Sequence, residues 1–181
     1  TTASNNTAVG SSALAANTTG TQNVALGQGA LAANTTASYN TALGREALND
    51  NTTGASNVAV GRGSLAVNTT ASDNTAVGFA SLGANTTGSK NAAFGKDSGK
   101  AITTGSQNTA FGARSLQAAT TPSHNTAIGE ATLYTNTTGA SNTAVGSQAL
   151  SANTIGTENV AVGKGALDAN TTASYSKHHW C

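Results

Sequence analysis

The residues best suited to chemistry stand together near one end of the chain, where His178, His179, Trp180 and Cys181 are consecutive. Two imidazoles and a thiolate would suit a soft metal ion, and the lone cysteine could instead pair with its copy in another subunit. The plainer reading is a frayed terminus or a processing boundary, with Trp180 placed to cap the last structural unit. His124 could face an ion only if copies from a threefold assembly converged on it. Its column in the repeat described below also holds Gln22, Lys90 and Glu158, which point to a solvent-exposed column instead. No metal and no cofactor are therefore assigned.

Other chemistry has less to stand on. The seven carboxylates fall at variable positions, no nucleophile is paired with a base, and no glycine-rich loop leads into Lys-Thr or Lys-Ser. An enzyme is not expected. Asn-x-Thr acceptors recur at Asn5, Asn17, Asn34, Asn51, Asn68, Asn85, Asn136 and Asn170, but a structural role in turns accounts for them and no sugar is expected there.

What must position all these residues is a 17-residue unit repeated ten times from Asn6 to Tyr175. It reads close to Asn-Thr/Val-Ala-Val/Leu/Ile/Phe-Gly-x-x-Ala/Ser-Leu-x-x-Asn-Thr-Thr-Gly/Ala-x-x. The first, third and fifth positions never vary: Asn6 to Asn159, Ala8 to Ala161, and Gly10 to Gly163, with Asn108 and Gly112 among them. A unit this short cannot enclose a core, so each copy must be one rung of a stacked solenoid. Residues 1–5 are read as a lead-in, 6–175 as the rod and 176–181 as a tail.

Composition narrows the classes. Only 8% of residues are charged and 4% aromatic, and the net charge is +1. The eight basic residues are scattered singly along the sequence, which gives nucleic acid no electrostatic footprint. No apolar run approaches the roughly 20 residues of a spanning helix, so membrane insertion by this segment is not expected. A strict apolar register argues against disorder despite the load of Gly, Asn, Thr and Ser. Pro122 sits in the turn column occupied elsewhere by Gly or Ala, where a missing N–H is tolerated.

Within the rung, Asn-Thr-Ala-Val-Gly reads as a strand whose second and fourth residues share one face while the Ala takes the other. The fourth column, Val9, Leu26, Leu43, Val60, Val77, Phe94, Phe111, Ile128, Val145 and Val162, is apolar throughout. Both faces therefore need cover, the Ala side in the coil interior and the fourth column against another chain. A single rung buries too little surface to offset the entropy of ordering its backbone. The Ala-Leu stretch, as in Ala13-Leu14, fits a second short strand or one helical turn, with strand preferred. Asn17 and its equivalents open the turn that follows, and the Asn columns should form ladders about 4.8 Å per rung. Ten rungs give a rod of roughly 48 Å. Charged residues such as Arg45, Arg62, Lys96, Arg114, Glu130 and Lys164 collect after the Gly, on the expected solvent side.

Rungs six and seven depart from the pattern. Gly99 replaces the Leu, Ile102 and Ala119 replace the turn Asn, and Phe94 and Phe111 take the strand column. The large rings could fill volume left by the missing Leu, with local repacking or a kink in mid-rod.

Written as Asn-Thr-Ala-Val-Gly-x-x-Ala-Leu-x-x-Asn-Thr-Thr-Gly, the unit resembles the head repeats of trimeric autotransporter adhesins and similar repeats of phage and virus tail-fibre proteins. The resemblance covers Asn6 to Tyr175 and implies a left-handed parallel β-roll packed as a parallel homotrimer. It also implies display on a bacterial cell surface or a virion tail fibre, with a host-cell surface receptor or glycan as partner. The 17-residue rung is longer than the usual adhesin rung, and these residues include no coiled-coil stalk or membrane anchor. The expectation is thus an all-β solenoid of ten rungs, homotrimeric, serving as a structural or adhesive fibre segment. Two other functions fit such a rod: an extracellular filament assembling end to end through open terminal rungs, and a monomeric Thr-rich ice-binding solenoid. Adjacent threonines point opposite ways in an extended segment, which counts against the latter.

Overall fold

A computed structural model describes residues 2–179 of the chain, with the backbone alone for His179. It is an all-β parallel solenoid. Each rung contributes one three-residue strand: β1 (Thr7–Val9), β2 (Val24–Leu26), β3 (Thr41–Leu43), β4 (Val58–Val60), β5 (Thr75–Val77), β6 (Ala92–Phe94), β7 (Thr109–Phe111), β8 (Thr126–Ile128), β9 (Thr143–Val145) and β10 (Val160–Val162). An eleventh, β11 (Lys177–His179), continues the series into the segment read as a tail. All eleven form a single parallel sheet in sequence order, and no helix occurs among the described residues. The register is 17 residues at every step, so Ala8 lies beside Ala25 and Ala161 beside His178.

Strand alternation decides what enters the coil. From Ala25 to Ala161 the third-column alanines are buried, while their neighbours on either side are half-buried or exposed. The interior is completed by the Leu column, including Leu31, Leu48, Leu65, Leu82, Leu116, Leu133 and Leu150, all at 0% exposure.

The Ala-Leu stretch is neither strand nor helix, contrary to the reading that favoured a strand. It belongs to a six-residue turn, residues 11–16 in the first rung. The Leu residues adopt left-handed backbone, with φ between 49° and 53°. The reason is geometric: Ala30 and Leu31 are adjacent in sequence yet both point inward, which an extended segment with alternating side chains forbids. Left-handed backbone costs an L-residue roughly 1–2 kcal/mol. Each rung accepts that cost because the next rung holds the turn, as where the Leu31 N–H donates to the Ala47 carbonyl at 3.0 Å.

The invariant glycine has two causes. At Gly112 φ is +133°, a region closed to other residues, and a Cβ would stand 2.4 Å from the Gly129 carbonyl oxygen of the next rung. Successive rungs touch backbone to backbone at this corner.

Polar ladders close the remaining sides. The Asn40 N–H donates to Asn23 Oδ1 at 3.0 Å, and Asn57 repeats the bond to Asn40 at 2.9 Å. Within a rung the two Asn columns converge on one carbonyl, so that Asn40 Nδ2 and Asn51 Nδ2 each donate to Gly54 at 2.9 Å. The expected Asn ladders are present, and they satisfy most of the amides that the rod buries, Asn85 Oδ1 and Asn153 Oδ1 being exceptions. Pro122 plays the carbonyl's part in its own rung, accepting from Asn108 Nδ2 at 2.8 Å.

A third ladder escaped the column reading. The thirteenth position is Thr in all ten rungs, from Thr18 to Thr171, and its hydroxyl donates to the next rung's Thr carbonyl, as Thr52 does to Thr69 at 3.0 Å. Counting identities down that column would have found it.

Rungs six and seven are repacked without a kink, and the register of β6 and β7 is unbroken. Phe94 does not fill the space left by the missing Leu, because it lies on the outer strand face. Ile102 does: it is fully buried, and a Cβ on Gly99 would lie 3.1 Å from Ile102 Cδ1. The exchange interrupts the second Asn ladder. Asn85 Oδ1, whose equivalent Asn51 Oδ1 accepts from Asn68 at 2.8 Å, is buried without a hydrogen-bond partner above it.

Candidate functional site

Two surfaces differ from ordinary solvated exterior. The first is the outer face of the sheet, built by the second and fourth residues of every strand. Val9 is 56% exposed and Phe111 55%, and Leu26, Leu43, Ile128 and Val162 are likewise exposed. Val60, Val77, Phe94 and Val145 are half-buried by their neighbours along the column. The Phe94 and Phe111 rings stack with centroids 5.4 Å apart. In β1–β10 no charged side chain and no amide interrupts this face, which carries only Thr, Val, Ala, Leu, Ile and Phe. The column expected to need cover therefore lies open on the single chain.

The second surface is the turn edge after the glycine, where the rod carries most of its charges. Basic residues that look scattered along the sequence are neighbours here, because 17 residues is one rung. Arg45, Arg62, Phe79 and Lys96 occupy the same position in four consecutive rungs. Arg62 stands 5.8 Å over the Phe79 ring. Acidic residues pair off much of the charge: Arg45 with Glu46 at 2.8 Å, Arg114 with Glu130 at 2.8 Å, and Lys100 Nζ 3.0 Å from the buried Asp97 Oδ1. Asp97 Oδ1 and Lys100 are at ionic distance without hydrogen-bond alignment. The exposed pairs are worth at most about 1 kcal/mol each.

The sequence-marked histidines and acceptors are not brought together. His124 is exposed at the last position of its rung, where φ is +62°. His178 lies in β11, beside Ala161. The side chain of His179, together with Trp180 and Cys181, lies outside the described residues, so the cluster is not described as a unit. Among the described residues no three His, Cys, Asp or Glu side chains are grouped to hold a metal ion. Of the Asn-x-Thr acceptors, Asn34, Asn51, Asn68, Asn85 and Asn136 are fully buried and donate through Nδ2 to turn carbonyls, whereas Asn5 is exposed and Asn17 and Asn170 are half-buried.

An open hollow of about 430 Å³ interrupts the turn edge between rungs seven and nine, lined by Arg114, Ala131, Tyr134, Gln148 and Ser151 among others. Its signal in the sequence is slight. Ala131 stands between two long residues, Arg114 and Gln148, one rung to either side in the same column.

No protein-family model matches the chain, and no curated protein or solved structure is significantly similar to it. No helix is long and apolar enough to cross a membrane among the described residues.

Proposed function

We propose that the chain is a structural and adhesive segment of a surface fibre, in which three parallel copies pack their sheet faces together. One observation carries this reading: an uncharged face of Val, Leu, Ile, Phe, Ala and Thr runs along β1–β10 of an otherwise polar rod. Soluble monomers rarely leave a continuous face of this kind open. Covering it with two further copies removes Val9, Leu43, Phe111, Ile128 and their column from water. The same packing leaves the variable turn edges facing outward.

The repeat's resemblance to adhesin heads and tail-fibre repeats supports a fibre displayed on a bacterial cell surface or a virion. Its partner there is a host-cell receptor or glycan. The rod's work is mechanical, holding its unrepeated residues at a fixed distance and spacing. An ice-binding role is less well supported, because the thirteenth-position Thr hydroxyls are consumed in the rung-to-rung ladder.

Small-angle X-ray scattering of the purified chain tests the proposal. The expected result is a forward scattering of three 17.6 kDa chains and a longest dimension of about 50–60 Å, both independent of concentration. A folded monomer would remove the trimeric reading. A length growing with concentration would replace it with end-to-end filaments.

A further inference from the structure

We infer that the hollow between rungs seven and nine is a saccharide-binding site for a neutral hexopyranose residue of a surface glycan. It rests on the reading of the chain as a displayed adhesive segment and names the ligand class. The hollow is open, with a volume of about 430 Å³, so a sugar ring would lie against it rather than be enclosed. Its walls carry the two kinds of group a pyranose ring requires.

The first is an aromatic platform. Tyr134 is 37% exposed, and its ring offers an apolar surface to the C–H face of a sugar. The Arg114 guanidinium carbon is 6.0 Å from the ring centroid, at the outer limit of a cation–π contact. Just over a third of the residue is left open to solvent.

The second is a set of planar polar groups. Neighbouring sugar hydroxyls each donate and accept, and together they match a planar fork. Arg114 supplies a donor fork, and Glu130, held to it at 2.8 Å from outside the lining of the hollow, balances its charge. Gln148 presents both kinds of group, and Ser151 adds a hydroxyl. With Arg114 and Glu130 balancing each other, the edge has no excess charge to select an acidic sugar. Ala131 makes the room: a side chain as long as those at the equivalent positions above and below would fill the hollow.

Saturation-transfer NMR on the folded protein tests the site, with the methyl glycosides of glucose, galactose, mannose, fucose and N-acetylglucosamine as probes. Tyr134→Ala removes the platform. Ala131→Gln fills the hollow with a residue that Gln148 shows to be compatible with this left-handed turn position, where φ is 52° at Ala131 and 62° at Gln148. Transfer to the ring protons of at least one glycoside is expected, reduced at least fivefold in both variants and retained in Phe79→Ala. No transfer to any probe, or transfer that survives either variant, would overturn the site. The two readings fail separately: a trimer without sugar binding removes the site alone, and a sugar-binding monomer removes the trimer alone.

Discussion

At the scale of single residues the rod is constrained by backbone contact more than by side-chain volume. Gly112 and Gly63 make the comparison. Both have positive φ, but a Cβ on Gly112 would press on the next rung's backbone, whereas one on Gly63 would meet nothing within 4 Å. Gly63 also shares its left-handed position with Ala80 and Ala131, at φ 52°. Gly112→Ala should therefore cost at least about 3 kcal/mol or prevent folding, and Gly63→Ala about 1 kcal/mol. Chemical denaturation of the two variants checks the order. Equal midpoints would mean that the corner tolerates a side chain and that the invariance has another cause. The invariance of this column was plain in the sequence. Its double cause was not, because the clash is with a residue 17 positions away.

At the scale of the rung, the strand and its inward Ala were legible because alternation fixes which side chains share a face. The turn was not. Apolar periodicity over five residues cannot report φ, and the left-handed Leu is set by hydrogen bonds from the following rung rather than by local preference. The compensation in rung six was half legible: Gly99 and Ile102 stood out as departures, but the rings of Phe94 and Phe111 drew attention as fillers when Ile102 was the residue turned inward. This gives a coupled prediction. Ile102→Asn alone should cost about 2–4 kcal/mol by opening a cavity, and Gly99→Leu alone about 1–3 kcal/mol by overpacking. Together they rebuild the common rung and return a partner to Asn85 Oδ1. The double variant should be more stable than either single one, with a favourable coupling of at least about 1 kcal/mol. Strict additivity in a denaturation cycle would show that Ile102 does not occupy the missing Leu's space.

At the scale of the whole molecule, one sheet runs the length of the rod, with an uncharged outer face along β1–β10 and most of the charges on the turn edge. That division follows from the 17-residue period, which stacks like on like. The same stacking gathers basic residues that look isolated in the sequence, and it builds the hollow at Ala131, which no motif announces. The account stands or falls on what covers the sheet face. Leu43 and Phe111 lie on that face, both exposed in the single chain, while Thr53 is exposed on the far turn. Replacing Leu43 and Phe111 together by Lys would place like charges from three chains against one another, and Thr53→Lys would not. The most direct measurement is the sedimentation-equilibrium mass of the L43K/F111K protein beside the wild type and T53K, with circular dichroism confirming that each is folded. Wild type and T53K should sediment as three chains and L43K/F111K as one. A wild-type monomer, or a doubly substituted protein that remains a trimer, would contradict the account.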